Sequence, residues 1–268
     1  MDLGLKGRWA LVCAASKGLG RGCAEALAGE GANVVITARG EDDLLATAAA
    51  LKAAHPAVEV LAVVGDIATP EGRAAALAAC PRVDILVNNA GGVRAGRLEN
   101  TTEADIEQMV IVDLLAPVLL TRAALPALRA SGDAMVVNVA SGIALVGAPF
   151  YATYAAVKAG LARFGEALRR ELKGEGIHVL TAYPGGTDTP MMKSNRAGPE
   201  LGFSREPASA VADAIVAGIE ANAFEVIRGG EARAQMIALN RNDPVAVDAR
   251  FLTLKSALEE AVKDHSAL

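Results

Sequence analysis

Residues 9–39 have the sequence WALVCAASKGLGRGCAEALAGEGANVVITAR, and this stretch decides the fold class. An apolar run without polar alternation (9–14) is followed by a glycine-rich turn, an amphipathic segment (19–30) and a second apolar run (33–38). Apolar runs of this kind are typical of strands that are covered on both faces. The stretch therefore predicts a strand, a helix and a second strand, which is the repeating unit of a parallel sheet.

The same alternation of short apolar runs and longer amphipathic segments continues to residue 228. Further strands are predicted at 58–64, 84–88, 134–139, 178–183 and 224–228, and further helices at 41–55, 70–80, 102–129, 151–173 and 207–222. Pro117 and Pro126 are expected to kink or break the helix predicted at 102–129, because proline lacks the amide donor. The predicted fold class is α/β, a Rossmann-type doubly wound parallel sheet of about seven strands with helices on both faces.

The C-terminal part of the chain has a different pattern from the core at about 5–230. Residues 231–268 are predicted to form a helical tail of one or two polar helices, with Asn242-Asp243-Pro244 as a break and cap. This tail either covers a pocket or builds a subunit interface. No linker precedes it, so we expect a single domain over residues 1–268.

Composition limits the classes of function. Of the 268 residues 52% are hydrophobic, which is enough for a large core, and the net charge of -5 argues against a nucleic-acid partner. Cys13, Cys23 and Cys80 show no metal-ligand spacing, so we expect a reducing compartment and no metal site. Residues 1–8 lack the apolar core of a signal peptide, and no uninterrupted apolar stretch is long enough to span a bilayer. We therefore expect a cytoplasmic protein with no membrane partner.

The turn after the first strand, Cys13 to Gly20, has the composition of a phosphate-binding loop. In doubly wound sheets, ligands bind beyond the carboxyl ends of the strands. Glycines at such a turn let the backbone approach a pyrophosphate, and the N-terminus of the next helix supplies free amides and partial positive charge. Small residues also close strand–helix turns for structural reasons, so the turn by itself leaves both interpretations open.

The end of the second strand indicates which dinucleotide would bind. An acidic residue there binds the ribose hydroxyls of NAD, whereas a basic residue suits the 2′-phosphate of NADP. The strand ends Thr37-Ala38-Arg39 without an acid, and Lys17 in the glycine turn can approach the same phosphate. These two cations favour NADP(H) over NAD(H), although both are also compatible with solvated surface charges.

Three polar side chains with complementary chemistry follow the fifth strand. Ser141 ends that strand, Tyr154 comes thirteen residues later, and Lys158 lies one helical turn beyond Tyr154. Reduction of a carbonyl needs a hydride from a nicotinamide and a proton for the developing alkoxide. A nearby ammonium lowers the pKa of a tyrosine, which is about 10 in water, and a serine hydroxyl can hold the substrate oxygen. Tyr–Lys pairs at this spacing are common, so the interpretation depends on the other motifs.

Six motifs in one order carry a resemblance to a known family. They are the turn at 13–20, Asp66, Asn88-Asn89-Ala90-Gly91, Ser141, Tyr154-Ala-Ala-Val-Lys158 and Pro184-Gly185-Gly186-Thr187-Asp188-Thr189. With these motifs, which cover about residues 5–192, the chain resembles the single-domain branch of the short-chain dehydrogenase/reductase family, whose members include 3-oxoacyl-carrier-protein reductases. The resemblance implies a nicotinamide-dependent oxidoreductase that interconverts a carbonyl and a secondary alcohol.

The resemblance also implies a role for each matched residue. Tyr154 would be the general acid in reduction and the base in oxidation, Lys158 would bind the nicotinamide ribose and tune Tyr154, and Ser141 would orient the carbonyl. The implied cofactor contacts are Ser16 and Leu19 at the phosphates and nicotinamide, Asp66 and Ile67 beside the adenine, Asn89, Ala90 and Gly91 at the central ribose, Thr187 and Thr189 at the carboxamide, and Pro184 and Gly185 in the turn before them.

Two positions depart from the family pattern. Ala14, preceded by Cys13, replaces the first glycine of the turn; its methyl group is a small intrusion if the residue keeps an ordinary backbone angle, so we expect binding to be retained. Asp113 stands in the long helix where the family commonly has an asparagine. If buried near Lys158, its carboxylate would hold that lysine protonated and alter the pH optimum, which makes Asp113 a fourth catalytic candidate. A local backbone role is the alternative.

The substrate pocket is predicted to be largely apolar. The prediction rests on five apolar residues, which could equally pack in the hydrophobic core: Ile143, Leu145, Phe150, Met191 and Met192. Arg94 either meets an anionic substrate group or is solvated. An acidic carrier protein needs a basic docking patch, and Glu175 places an acid where carrier-binding relatives tend to be basic, which disfavours a carrier-bound substrate.

Two alternative functions remain open. A nucleotide-binding protein with a regulatory or structural role is supported by Ala14 and Asp113 and opposed by the intact Ser141, Tyr154 and Lys158. A sugar-nucleotide epimerase or dehydratase is opposed by the length of the chain, since those relatives usually carry a separate substrate lobe. By resemblance we expect a homo-dimer or homo-tetramer that acts on a small molecule.

Overall fold

Residues 4–268 are described by the computed structural model of the chain. In chain order the elements are β1 (Trp9–Cys13), α1 (Gly18–Gly29), β2 (Asn33–Ala38), α2 (Glu41–Ala54), β3 (Val60–Val64), α3 (Pro70–Ala78), β4 (Ile85–Asn88), β5 (Val93–Arg94), α4 (Glu103–Val110), α5 (Ala116–Ser131), β6 (Ala134–Val139), α6 (Ala152–Glu171), β7 (Ile177–Tyr183), β8 (Gly186–Asp188), β9 (Arg205–Pro207), α7 (Ala208–Glu220), β10 (Glu225–Ile227), α8 (Gly230–Asn242), α9 (Pro244–Val262) and β11 (Ser266–Ala267). A π-helical segment, Ile111–Leu115, joins α4 to α5.

The central sheet has seven parallel strands in the order β10-β7-β6-β4-β1-β2-β3. These are the seven strands predicted from apolar runs, with ends that differ by at most two residues. The order reverses at β1 and β4, and crevices for ligands form at the carboxyl ends of strands around such a point. The predicted Rossmann-type doubly wound fold is confirmed.

The strands are apolar throughout because both faces of the sheet are covered. On one face Val12 and Ile36 pack with α1, α2 and α7. On the other face their chain neighbours Leu11 and Val35 pack with α3, α5 and α6. Burial of each such side chain contributes about 1.5–3 kcal/mol, so the two cores hold the carboxyl edge of the sheet rigid.

The helix predicted at 102–129 is continuous from Glu103 to Ser131 and does not end at Pro126, so the predicted break there is wrong. Pro126 and Arg122 are both exposed, and water can therefore bond the Arg122 carbonyl that loses its amide donor. The irregularity lies ahead of Pro117. Pro117 cannot donate to the carbonyl of Asp113, four residues earlier, and the backbone adopts the π form over 111–115.

This same helix is long and apolar enough to cross a membrane by length and composition alone. Arg122 interrupts its sequence, and its apolar side is used inside the protein. Leu120, Ala124 and Leu128 have no exposed surface and pack against the sheet. Such packing is that of a core helix in a globular protein.

The tail forms two helices that are separated where the sequence predicts a break. Asp243 caps α9 by accepting a hydrogen bond from the amide of Ala246 at 3.0 Å, and Pro244 occupies the first turn. A side-chain cap together with a proline in the first turn is a typical helix start. The predicted helical tail is confirmed.

The tail packs against the carboxyl end of the sheet. In α9, Leu258 and Val262 are buried against Val93 and Tyr151. Beyond α9, β11 pairs antiparallel with β5, which ties the end of the chain to the loop after β4. The tail therefore closes one end of the crevice that the sheet opens.

Candidate active site

A cleft of about 1590 Å³ runs along the carboxyl edge of the sheet. It is larger than the roughly 300–1000 Å³ of a pocket for one small ligand, so it has room for a dinucleotide and a substrate together. Its wall includes all of the residues proposed above as cofactor contacts, namely Ser16, Lys17, Leu19, Arg39, Asp66, Ile67, Asn89, Ala90, Gly91, Tyr154, Lys158, Pro184, Gly185, Thr187 and Thr189.

The turn between β1 and α1 exposes its backbone to the cleft. Gly18 has a φ of 58°, and a side chain at Gly20 would collide with the carbonyl oxygen of Ala14. The side-chain amide of Asn89 donates through Nδ2 to the backbone carbonyls of Cys13 at 3.0 Å and Ala14 at 3.3 Å, which fixes the turn. A rigid turn with glycines at the start of a helix fits a pyrophosphate group.

Ala14 itself has a φ of 51°. The condition under which its methyl group would be a small intrusion, an ordinary backbone angle, is therefore not met. The left-handed conformation costs a residue with a side chain about 1 kcal/mol. The next residue, Ala15, donates its amide to the Thr37 carbonyl at 3.0 Å, and this bond to β2 holds the turn in place.

The end of β2 presents two polar groups to the cleft. Arg39 is exposed there, and the Thr37 hydroxyl is buried without a hydrogen-bond partner among residues 4–268. Lys17 also lines this end, but its ammonium lies 3.9 Å from the Asp43 carboxylate, and both side chains are more than 60% exposed. The unbonded hydroxyl and the nearby cations fit the ribose and phosphate of a dinucleotide, with Arg39 the freer cation.

Between the two ends, two glycines of the cleft wall pack closely against side chains of other segments. A Cβ at Gly91 would lie 2.6 Å from Asp113 Oδ1 and 3.1 Å from Lys158 Nζ. A Cβ at Gly18 would lie 3.3 Å from the Cβ of Thr189, so the turn after β7 packs against the glycine turn. A bound dinucleotide would therefore lie between backbone segments, as an extended ligand requires.

Tyr154 and Lys158 lie on α6, and Ser141 follows β6 at the same edge. The Nζ atom of Lys158 is 5.7 Å from the centroid of the Tyr154 ring. It donates a hydrogen bond to the Val139 carbonyl at 3.1 Å. The Ser141 hydroxyl faces the phenol closely enough to lower the Tyr154 pKa, and it accepts a hydrogen bond from the amide of Ile143 at 3.3 Å. The structure therefore brings the three side chains together.

Asp113 lies behind Lys158 and does not line the cleft. Its Oδ1 atom is 3.0 Å from Lys158 Nζ, and its carboxylate accepts a hydrogen bond from the Gly92 amide at 3.1 Å. Burial raises the pKa of Asp113, while Lys158 and the Gly92 amide oppose that rise. Burial lowers the pKa of Lys158, but the Asp113 carboxylate and Tyr154 together outweigh it and the net shift is upward. The contact with Lys158 goes beyond a local backbone role.

The pKa of Tyr154 responds to both of these charges. Burial raises it, the Lys158 ammonium lowers it, and the Asp113 carboxylate raises it again. The expected direction of the lysine effect is correct, but the net shift is upward. The physical reason is that burial of the phenol outweighs the ammonium, whose field is also partly cancelled by a carboxylate 3.0 Å from it.

The substrate end of the cleft agrees only in part with the sequence prediction. Ile143, Met191 and Met192 lie on its wall. Leu145 and Phe150 do not, so those two assignments are wrong, and Arg94, for which two roles were left open, does not line the cleft either. Arg94 donates to the Lys263 carbonyl at 3.2 Å, Leu145 packs in a separate cluster behind Ser141, and Phe150 has a φ of 71° that directs its ring toward Arg97.

The tail supplies wall residues that the sequence did not predict. Arg233, Met236 and Leu239 of α8, Phe251 and Leu254 of α9, and His265, Ala267 and Leu268 beyond α9 all line the cleft. The apolar residues of α8 and α9 were the available signal, but the partners of the tail lie far away along the chain, for example 91 residues between Arg233 and Gly142. The tail covers the pocket, which is one of the two roles left open.

Comparisons with known proteins agree with this geometry. The family model described as short chain dehydrogenase matches residues 8–200. The chain is 33% identical over 255 residues to the ketoacyl reductase HetN of Nostoc sp., and the match covers 91% of this chain and 88% of that protein.

Two solved structures are similar over nearly the whole fold. A short-chain dehydrogenase from Sphingobium yanoikuyae in complex with NADPH has a TM-score of 0.78 at 27% identity, and the match covers 90% of this chain and 95% of that chain. A 3-ketoacyl-(acyl-carrier-protein) reductase from Brucella melitensis complexed with NADH has a TM-score of 0.76 at 26% identity, covering 85% and 99% of the two chains. The chain therefore belongs to the short-chain dehydrogenase family of oxidoreductases.

Proposed function

We propose that this protein is an NADP(H)-dependent oxidoreductase that interconverts a carbonyl and a secondary alcohol. The observation that carries the proposal is the grouping of Ser141, Tyr154 and Lys158 at one point of the cleft wall, with the ammonium 5.7 Å from the phenol ring. Membership of the family and the reductase names of the relatives support it.

Tyr154 is the proton donor in reduction and the proton acceptor in oxidation, and the adjacent Ser141 hydroxyl holds the substrate oxygen. A bound nicotinamide supplies or accepts the hydride, and its oxidised form adds a positive charge that favours the phenolate. This charge opposes the burial that raises the pKa of Tyr154.

Lys158 has one donor left for the cofactor. An ammonium has three N–H donors, and Lys158 uses two of them on the Val139 carbonyl and the Asp113 carboxylate. The remaining donor suits a ribose hydroxyl. Asp113 acts through Lys158, since it fixes the position of the ammonium and keeps it charged.

The preference for NADP(H) rests on the end of β2. No acidic residue ends this strand, and Arg39 stands beside the Thr37 hydroxyl, which has no partner in the described part of the chain. Lys17 contributes less because Asp43 lies 3.9 Å away. Solved relatives have been complexed with NADPH and with NADH.

An absorbance screen with NADPH and NADH against oxoacyl thioesters, cyclic ketones, quinones and secondary alcohols tests the proposal. We expect net oxidation of NADPH by at least one ketone class, and a smaller rate with NADH. Conversion of a sugar nucleotide without net consumption of NADPH would indicate an epimerase or dehydratase instead. Binding of NADPH without turnover across the panel would indicate a regulatory role.

We also propose that the protein is a homo-oligomer of the cytoplasm. Val110 and Leu115 are 39% and 45% exposed on the helix Glu103–Ser131, and large apolar side chains on one surface are typical of subunit contacts. The three free cysteines are buried, which suits a reducing compartment. Light scattering should give two or four times the chain mass of 27.4 kDa, and a monomer would contradict the assembly.

A further inference from the structure

A guanidinium occupies the substrate end of the cleft. Arg233 lies in the first turns of α8 and lines the wall. Its Nη1 atom is 3.4 Å from the Gly142 carbonyl, and a Cβ at Gly142 would lie 2.9 Å from its guanidinium carbon. Gly142 directly follows Ser141, and consecutive Cα atoms are about 3.8 Å apart. The cation therefore contacts Gly142, the residue next to Ser141, whose hydroxyl would hold the reacting oxygen.

Arg233 has no counter-ion in the described chain. Across residues 4–268, no carboxylate lies within 4.0 Å of its guanidinium, whereas the nearby Arg228 has Glu206 at 2.5 Å. Burial lowers the pKa of Arg233, and no neighbouring acid opposes that effect. A guanidinium offers five donors, and Arg233 uses one of them in a long bond to the Gly142 carbonyl. A partly buried cation without a partner is unfavourable unless an anion binds it.

This position separates Arg233 from the 2′-phosphate end of a dinucleotide. Gly142 follows β6, and β4 and β1 lie between β6 and β2. Neighbouring strands are about 4.8 Å apart, so Gly142 lies roughly 14 Å from the end of β2, where Arg39 stands. Apolar residues line the same cleft, and they include Ile143, Met236, Leu239, Leu254 and Leu268.

We propose that the substrate is an oxo acid, and that Arg233 binds its carboxylate while the apolar wall holds its carbon skeleton. This inference rests on the proposed function and names its substrate class. The planar fork of a guanidinium matches the two oxygens of a carboxylate. One guanidinium balances the one negative charge of a carboxylate, and Arg228 in the same cleft is already paired with Glu206.

The test compares an oxocyclohexanecarboxylate with its carboxamide, which has the same shape without the charge. We expect the wild-type enzyme to prefer the acid. Arg233→Gln should lower kcat/KM for the acid by roughly 10- to 100-fold, mainly through KM, because a charge-assisted hydrogen bond is lost, and should leave the carboxamide rate nearly unchanged. Arg233→Lys should restore part of the preference. Arg250→Gln removes an exposed cation from the same cleft and should keep the preference.

Binding of saturated cyclohexanecarboxylate, measured by calorimetry with NADP⁺ present, gives a readout that needs no turnover. Weaker binding to Arg233→Gln than to the wild type supports the carboxylate site even if no ketone is reduced, in which case only the proposed reaction fails. Equal rates with acid and carboxamide in the wild type would overturn the inference. An equal loss of both rates in Arg233→Gln would also overturn it, because it would show that Arg233 only anchors α8 to Gly142.

Discussion

At the scale of single residues, the pair of Asp113 and Lys158 controls the charge around the candidate proton donor. The two groups are 3.0 Å apart and almost completely buried. An asparagine in place of Asp113 would position Lys158 without a full negative charge. The carboxylate both holds the ammonium and weakens its effect on Tyr154.

Asp113→Asn is expected to move the pH profile to lower pH. Asp113 raises the pKa of Tyr154 and of Lys158, so its neutralisation lowers both. Reduction needs a protonated Tyr154 and is lost as pH rises through the pKa of Tyr154. The alkaline limb of the kcat/KM profile should therefore move to lower pH. Oxidation needs the phenolate, so its acid limb should shift in the same direction. Profiles that superimpose on those of the parent would show that Asp113 does not tune the site.

Ala14→Gly is expected to stabilise the protein. Ala14 has a φ of 51°, a conformation in which glycine avoids the steric cost, and the free energy of unfolding should rise by about 0.5–1 kcal/mol in urea denaturation. Ala15→Gly is the matched control, since Ala15 is buried with an ordinary φ and should lose stability. An Ala14→Gly variant that is no more stable than the parent would contradict the strain.

At the scale of elements, the tail closes the substrate end through contacts between distant parts of the chain. The β11–β5 pairing places His265 inside the protein with 1% of its surface exposed. Its Nδ1 atom lies 3.1 Å from the Ser194 hydroxyl, and its ring packs edge-on against Tyr151. Burial, with Arg205 and Arg94 nearby, lowers the pKa of His265 to about 4.

The docking of the tail is therefore expected to weaken in acid. A histidine released from this site has a pKa of 6.5, so the undocked tail binds a proton more readily than the docked one. The contribution of His265 to docking is complete above pH 6.5 and is lost as pH falls toward about 4. An NMR titration of the three histidines, with His265→Gln to assign the signal, checks this. Titration of His265 near pH 6.5 would contradict the buried site.

At the scale of the whole molecule, the sequence predicted what depends on local pattern. Strands buried on both faces must be apolar at every position, so runs such as 33–38 identified the sheet. The sequence also predicted which residues would line the cleft near the reacting end. The glycine turn and Ser141 each follow a strand at the same edge of the sheet, and Tyr154 and Lys158 lie on one face of a helix.

The remaining features depend on packing between distant segments. Arg233 and His265 carry no local motif, and their surroundings arise only when the tail folds back on the sheet. Phe150 was assigned to the pocket as an apolar residue, but it has a φ of 71° and its ring lies beside Arg97 instead. The net pKa of Tyr154 depended on a charge separated from it by forty-one residues of chain.

The central claim is that the Tyr154 phenol transfers the proton beside a bound nicotinamide. Tyr154→Phe removes the hydroxyl and keeps the ring that packs near Tyr151. Measured with the best ketone from the screen, this variant should lose turnover by roughly 10²- to 10⁴-fold, while NADPH titrations by fluorescence give nearly the parent affinity. Turnover close to that of the parent, with NADPH bound equally well, would contradict the claim and remove Tyr154 from the mechanism.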